Sequence, residues 1–173
     1  MRIYLTGFMG AGKTSIGREL AARLEMPFLD LDDWIEQNEG LTITEIFTEK
    51  GELEFRKIEA KWLRETAAFE KAIIASGGGT PCFFDNMTWM NDHGFTVFIQ
   101  VSAEVLASRL RTEKEKRPLL AGLSDKELAS FVNSKLSERL MFYEQSHLTL
   151  NFNADNQSAL EELSVYLKKF LRN

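Results

Sequence analysis

Cysteine and proline are scarce in this sequence, with one cysteine and three prolines among 173 residues. A single cysteine excludes an intramolecular disulfide, which is typical of proteins from a reducing compartment. That residue, Cys82, has uncharged neighbours along the chain, so we interpret it as a packing residue rather than a reactive thiol. A run of roughly 20 apolar residues, as a membrane span requires, is also missing, and the apolar start of the chain is too short for a secretory signal. We therefore expect a cytoplasmic protein.

An excess of positive charge is missing as well, because the formal net charge is −5. We therefore expect neither nucleic acid nor an anionic membrane as a partner, and any bound anion must be held by a local site. The hydrophobic fraction of 44% is ordinary for a globular protein. Since the sequence contains no Pro- or Ser-rich linker and no repeat, we predict one domain over residues 1–173, and we expect a monomer.

Apolar residues fall into short runs that alternate with longer amphipathic stretches. Five short runs predict strands, at residues 3–6, 28–30, 72–75, 96–101 and, more weakly, 148–152. Amphipathic stretches predict helices at 13–24, 103–111, 124–145 and 156–171, and a capping box at Thr42 predicts another helix that Gly51 would end, with a further helix after it. This alternation predicts a three-layer α/β/α fold, in which a five-stranded parallel sheet lies between two layers of helices.

Residues 7–14 have the sequence GFMGAGKT, which matches the phosphate-binding pattern G-x-x-x-x-G-K-[ST]. A chain of this length matches by chance in roughly 1% of cases, and here the motif also stands between the first strand and the first helix. Its glycines let backbone N–H groups turn towards phosphate oxygens, and the following helix adds partial positive charge. We predict that the nucleotide is bound by six consecutive residues: Gly10, Ala11, Gly12, Lys13, Thr14 and Ser15.

The same motif assigns chemistry to two of these side chains. Lys13 would reach the β- and γ-phosphates, and the Thr14 hydroxyl would bind Mg²⁺. The sequence lacks the N-K-x-D and D-x-x-G segments that a GTPase switch needs. We therefore favour a small-molecule kinase over a GTPase as the function of a chain with this motif.

Three further clusters are candidates for the acceptor site. Asp30 and Asp32 follow the second strand and would face the same way in an extended strand end, although an acid-rich helix start would also explain them. Arg56 and Glu59 are three residues apart on a predicted helix, where an ordinary surface ion pair is the simpler explanation. Residues 77–79 are three glycines directly after a strand, which indicates either a flexible turn or a close approach by another group.

Taken together, these segments resemble the shikimate kinase family from Arg2 to about Tyr143. The matching segments are GFMGAGKT at 7–14, DLD at 30–32, Gly51 with EFR at 54–56, GGG at 77–79, RPLL at 117–120, and Arg139 four residues before Tyr143. Many phosphate-binding-loop kinases share the first segment, whereas few share the order and spacing of the rest. The resemblance implies the fold of the nucleoside monophosphate kinases, ATP and Mg²⁺ as cofactors, and shikimate as the small-molecule substrate, phosphorylated at its 3-hydroxyl.

The resemblance also implies roles for the residues that would contact ATP, Mg²⁺ and the acceptor hydroxyl. Lys13 and Thr14 would serve ATP and Mg²⁺, with Lys13 counted among the catalytic residues. Asp30 would support the magnesium ion from its second coordination sphere. Asp32 would bind the shikimate hydroxyl and accept its proton.

On the side of the substrate ring, Arg56 and Arg139 would hold the shikimate carboxylate, since a guanidinium fork suits a planar carboxylate. The resemblance implies that five further residues line the shikimate site, either as apolar walls or through their backbone: Phe47, Phe55, Gly77, Gly78 and Gly79.

The charged segment at about 112–123 has no apolar face and is either a solvated loop or a mobile lid. By resemblance, Arg117 in this segment would reach the phosphates when the lid closes and act in catalysis, and Arg109 would stack on adenine. The family often carries a proline-containing adenine contact near the C-terminus, which residues 151–157 lack. Two rival functions stay open: a kinase of another small acid or sugar such as gluconate, and a nucleotide-binding module without turnover.

Overall fold

The computed structural model describes residues 1–113, 120, 122–152 and 156–171. Its centre is a five-stranded sheet in the order β2-β3-β1-β4-β5, in which every neighbouring pair is parallel. The strands are β1 Arg2–Thr6, β2 Phe28–Asp30, β3 Ala72–Ala75, β4 Phe95–Gln100 and β5 Leu148–Asn151. Each predicted strand is present to within one residue at either end, and the predicted parallel sheet is confirmed.

Seven helices surround the sheet in the described part of the chain. They are α1 Lys13–Leu24, α2 Leu31–Glu39, α3 Ile43–Glu65, α4 Asn86–His93, α5 Ala103–Arg111, α6 Asp125–Tyr143 and α7 Asn156–Leu171. The predicted capping box at Thr42 is confirmed, and Ser102 and Ser124 cap α5 and α6 in the same way, since each side chain accepts a backbone N–H of the first turn. The sequence pattern did not indicate α2 and α4 as separate helices. No helix among the described residues is long and apolar enough to cross a membrane.

Alternate residues of the central strands face two separate hydrophobic clusters. Ile3 and Leu5 of β1 belong to one cluster, and Tyr4 between them belongs to the other. Both faces of the sheet are therefore covered by helices, as is usual for parallel strands. This confirms the three-layer architecture, and it leaves the carboxyl ends of the strands as the edge where loops can form a site.

A break at Gly51 divides α3 into two helical halves. Gly51 has φ 80° and ψ 169°, which lies outside the helical region and in a part of backbone space that is nearly restricted to glycine. The prediction that a helix ends at Gly51 is thus confirmed. The second half of α3 begins directly after it and carries Phe55 and Arg56 into the interior.

Gly51→Ala should lower the free energy of unfolding. The decrease should lie near the upper end of the range of about 1–3 kcal/mol that such backbone strain costs. An added Cβ would meet no atom within 4 Å, so the loss would be conformational rather than steric. The control is Gly40→Ala, where a Cβ also meets open space but φ 70° and ψ 15° are left-handed helical, at a cost of about 1 kcal/mol. Urea unfolding measures both, and equal losses would contradict the assignment of strain to Gly51.

Candidate active site

Two cavities meet at the carboxyl edge of the sheet. One, of about 580 Å³, surrounds the loop of residues 7–14, and the other, of about 280 Å³, lies beside α2, α3 and α6. We call them the phosphate cavity and the acceptor cavity. Four residues line both of them: Met9, Asp32, Gly77 and Gly78. Because these four residues line both cavities, they form the junction between them. Asp32 has the only ionisable side chain of the four.

The phosphate cavity is lined by all six residues predicted to bind the nucleotide, 10–15. Gly7 has φ 135°, and a Cβ there would lie 2.7 Å from the carbonyl oxygen of Ile99. The loop can therefore pass this close to β4 only with glycine at that position. Lys13 is nearly buried, and its Nζ donates to the carbonyl oxygens of Gly7 and Phe8 at 2.8 and 2.9 Å. Its ammonium group is thus held over the loop, beside the backbone that would cradle phosphates.

Thr14 and Asp30 bring two hard oxygen donors together in the phosphate cavity. The Thr14 hydroxyl donates to Oδ2 of Asp30 at 2.7 Å. Mg²⁺ is usually bound by one or two protein oxygens together with phosphate oxygens and water, and this pair fits such a site. Among the described residues no cluster of three or more His, Cys, Asp or Glu could hold a metal. A magnesium ion bound by this pair would complete its coordination with phosphate oxygens and water.

Asp32 does not lie in an extended strand, so the expectation that Asp30 and Asp32 face the same way for that reason is wrong. Asp30 caps α2 and accepts the backbone N–H of Asp32 at 3.1 Å, which places Asp32 in the first helical turn. The alternative explanation, that Asp30 and Asp32 belong to an acid-rich helix start, is correct. The helix nevertheless directs Asp32 to the junction of the two cavities.

The acceptor cavity contains a buried ion pair between Arg56 and Glu59. Arg56 is 4% exposed and Glu59 is 1% exposed, so the interpretation of an ordinary surface pair is wrong. Nη1 of Arg56 donates to Glu59 at 3.0 Å, and the Thr80 hydroxyl donates to the other Glu59 oxygen at 2.6 Å. Burial raises the pKa of Glu59, while the charge of Arg56 and these hydrogen bonds oppose that rise.

Aromatic rings enclose the guanidinium group of Arg56. Its Cζ lies 4.3 Å from the ring centre of Phe83, 5.0 Å from that of Phe55 and 5.8 Å from that of Phe47. Phe47 and Phe55 also contact each other, with ring centres 4.5 Å apart. Both line the acceptor cavity, as predicted. An arginine over aromatic faces keeps a fixed orientation and gains cation–π attraction.

The three glycines at 77–79 are required for space. A Cβ on Gly77 would lie 2.7 Å from Oε1 of Glu59, and one on Gly79 would lie 2.7 Å from Nη2 of Arg56. At Gly78 it would lie 3.0 Å from the backbone N of Met9. Close approach therefore explains this run, and the alternative of a flexible turn is not needed.

Arg139 of α6 lines the acceptor cavity together with Arg56. Its Cζ lies 5.4 Å from the ring centre of Phe8. Within the described structure, Nη1 of Arg139 and Nε of Arg56 are buried and have no hydrogen-bond partner. Buried donors without partners cost free energy. Two such donors beside one cavity favour an anionic ligand with several acceptor oxygens, such as a carboxylate.

Arg109 lies in the phosphate cavity and donates from Nη1 to the carbonyl oxygens of Gly10 and Ala11 at 3.1 and 3.3 Å. Its predicted stacking on adenine stays a prediction. Arg117 and most of the predicted lid at 112–123 lie outside the described residues. Of that segment, Glu113 lines the phosphate cavity, and Leu120 is buried in the core.

Several lining residues were not predicted as part of the site. In the acceptor cavity these are Met9, Glu36, Ile43 and Thr44, and in the phosphate cavity they include Ser76 and Phe152. Glu59 was named with Arg56 as a candidate cluster but was given no role in the site. Ser76 and Phe152 could have been found because each directly follows a strand at the ligand-binding edge. Ile43 and Thr44 carry no such signal, since only the packing of α3 against α2 brings them there.

Comparisons with known proteins agree on one family. A family model described as shikimate kinase matches residues 9–171. A shikimate kinase of Bacteroides fragilis is 45% identical over 172 residues, which cover 99% of this chain and 96% of that protein. Among solved structures, shikimate kinase from Bacteroides thetaiotaomicron has a TM-score of 0.89 at 44% identity, covering 100% of this chain and 99% of its own. Shikimate kinase from Acinetobacter baumannii, in complex with shikimate, has a TM-score of 0.82 at 33% identity, covering 98% and 92%.

Cys82 should react slowly with alkylating reagents in the folded protein. Burial raises the pKa of its thiol to about 11, which the nearby charges of Arg139 and Arg56 only partly oppose. At pH 8 the thiolate fraction would be on the order of a hundredfold below that of an ordinary cysteine. Mass spectrometry after iodoacetamide treatment measures the rate, with the urea-unfolded chain as the control. Labelling as fast as in the unfolded chain would contradict a packing role.

Proposed function

The chain belongs to the shikimate kinase family, and from this we infer that it phosphorylates shikimate with ATP, a step of aromatic amino acid synthesis. We propose that the γ-phosphoryl group passes to the 3-hydroxyl and gives 3-phosphoshikimate. The observation that carries this proposal is the junction at Asp32, where the phosphate cavity and the acceptor cavity share a wall. A hydroxyl bound there would be close to both a carboxylate and the phosphate-binding loop.

Asp32 would act on the acceptor hydroxyl. Its carboxylate accepts the hydroxyl proton as the hydroxyl oxygen forms a bond to the γ-phosphorus. The bond from that phosphorus to the β–γ bridging oxygen breaks, and ADP leaves with the electron pair. Phosphoryl transfer needs little covalent chemistry from a protein, so alignment and charge neutralisation would supply most of the rate.

On the donor side, Lys13 and residues 10–15 would hold the phosphates of ATP. Thr14 would bind Mg²⁺ and Asp30 would support the ion from the second coordination sphere, which fits the 2.7 Å hydrogen bond between the two side chains. When bound, the ion would neutralise charge on the β- and γ-phosphates. Lys13, now bonded to carbonyl oxygens of the loop, would turn its ammonium group to those phosphates.

On the acceptor side, Arg56 and Arg139 would bind the carboxylate of shikimate, Arg139 through its unpaired Nη1. Phe47 and Phe55 would pack on the ring. The backbone of Gly78, at the junction, would donate to a ring hydroxyl. This division places the carboxylate at one end of the cavity and the reacting hydroxyl at the end nearest the phosphates.

The lid at about 112–123, with Arg117 as the residue that reaches the phosphates on closure, is part of the proposal, as is Arg109 on adenine. Closure would keep water from the γ-phosphate. Thr112 and Glu113 already line the phosphate cavity, which supports a lid that begins there. One domain, a monomeric state and residence in the cytoplasm also remain predictions.

The proposed reaction is tested by ADP release in a coupled assay with a panel of acceptors. Shikimate should be the preferred acceptor, with gluconate and other hydroxy acids turned over poorly. Preference for gluconate would favour the rival kinase, and ATP binding without turnover of any acceptor would favour a nucleotide-binding module.

Asp32→Asn should lower kcat by about 10²–10⁴-fold, because an amide cannot accept the hydroxyl proton. The control is Asp33→Asn, which removes a carboxylate from the same helical turn but at an exposed position; its kcat should stay near that of the unchanged enzyme. Steady-state kinetics measures both, with circular dichroism to confirm folding. An Asp32→Asn enzyme within a few-fold of normal activity would remove Asp32 from this role.

Arg139→Lys should weaken shikimate binding by about 1.5–3 kcal/mol, the range of a hydrogen bond to a charged group, and should leave ATP binding nearly unchanged. Lysine keeps the charge but loses the planar fork. Arg111→Lys is the matched control, because Arg111 is exposed and pairs with Asp125 outside both cavities. Calorimetry with each ligand separates the effects, and equal losses for the two ligands would contradict a carboxylate-binding role.

A further inference from the structure

Arg56 has a second carboxylate partner besides Glu59. Its Nη2 donates to Glu52 at 3.0 Å, the same distance that separates Nη1 from Glu59. The two partners differ in burial, because the side chain of Glu52 is 52% exposed and that of Glu59 is 1% exposed. Glu52 is also the first residue after the backbone break at Gly51. The guanidinium group of Arg56 is thus paired with a buried carboxylate, that of Glu59, and with a half-exposed carboxylate, that of Glu52.

The two carboxylates face different cavities. Glu59 lines the acceptor cavity, whereas Glu52 lines a neighbouring cavity of about 340 Å³ that we call the side cavity. Lys135 of α6 also lines the side cavity, where it pairs with Glu138 at 2.7 Å. Arg139 lines both cavities and forms part of the wall between them. The side cavity therefore offers Glu52 both space and a cation away from Arg56.

We propose that Glu52 is a displaceable partner of Arg56, which the acceptor carboxylate replaces when it binds. Glu52 then turns into the side cavity towards Lys135. This inference rests on the proposed function, since it requires Arg56 to bind a carboxylate. It makes Glu52 a positioning residue that lowers the affinity for the acceptor and keeps Arg56 oriented before the acceptor arrives.

Electrostatics decides which of the two carboxylates leaves. An acceptor carboxylate adds a third negative charge to the group of Arg56, Glu59 and Glu52. Glu59 stays, because it is buried and also accepts the Thr80 hydroxyl at 2.6 Å, and separating a buried pair is strongly unfavourable. Glu52 leaves, because half of its side chain is already in solvent and a pair of this kind is weak.

The exchange would also connect two elements of the site. Glu52 belongs to the second half of α3, and Lys135 belongs to α6, which carries Arg139. Movement of Glu52 from Arg56 to the side of Lys135 would replace a contact within α3 by one between α3 and α6. Binding of the acceptor would in this way bring the two helices that carry the carboxylate-binding arginines into direct ionic contact.

The test is calorimetric titration of shikimate, and of its methyl ester, into Glu52→Gln. Removing the competing charge should tighten shikimate binding by about two- to fivefold, the range expected for one partly exposed ion pair. Binding of the uncharged methyl ester should not change. Kinetics should show a lower KM for shikimate with an unchanged kcat. Glu49→Gln is the control, since Glu49 is exposed on the same helix and lines none of these cavities; it should affect neither ligand.

The outcomes separate this inference from the proposed function. If the unchanged protein binds shikimate but Glu52→Gln binds it equally well or more weakly, Glu52 supports Arg56 without competing, and the inference is overturned alone. A gain that extends to the methyl ester would also overturn it, because the effect would not depend on the carboxylate. If the unchanged protein does not bind shikimate at all, the proposed function and the inference fail together.

Discussion

The ion pair between Arg56 and Glu59 places the strongest constraint on the acceptor side of this protein. Two charges removed from water cost several kcal/mol each, and their attraction offsets that cost only with good geometry and further hydrogen bonds. Here Thr80 supplies a hydrogen bond to Glu59, and three aromatic rings surround Arg56. The glycines at 77–79 leave the volume that the pair occupies. The triple glycine, the aromatic residues and the charged pair are therefore parts of one arrangement.

The sheet topology explains why this arrangement meets the phosphate-binding loop. In the order β2-β3-β1-β4-β5, the strand that precedes the loop is central, and the strand that precedes the glycine run is its neighbour. The next strand, β2, ends at Asp30. Three adjacent strand ends thus supply the phosphate loop, the glycines and the two aspartates. A parallel sheet brings these segments to one edge although they are far apart in sequence.

The sequence predicted the strands because a buried parallel strand is a short apolar run whatever lies beside it. It does not indicate α2 as a separate helix, because α2 follows β2 without a loop, and Asp32 therefore looks like part of the strand end. Burial of Arg56 and Glu59 could not be inferred from their spacing, since an i,i+3 pair looks the same on a surface helix. The contacts between residues 77–79 and that pair are tertiary, so the glycine run by itself indicated a close approach without identifying the group that approaches.

Arg139 owes its position to the core rather than to a loop. Tyr143 lies one helical turn further along α6, is fully buried, and stacks on Phe98 with ring centres 5.1 Å apart. Its hydroxyl donates to the carbonyl oxygen of Gly78 at 2.6 Å, and burial raises the pKa of that hydroxyl, so it remains a donor. α6 is thereby attached to both the central sheet and the glycine run. Since Arg56 is fixed through Glu59 and Thr80, both arginines stand on rigid elements, and a site held in this way is oriented before its ligand arrives.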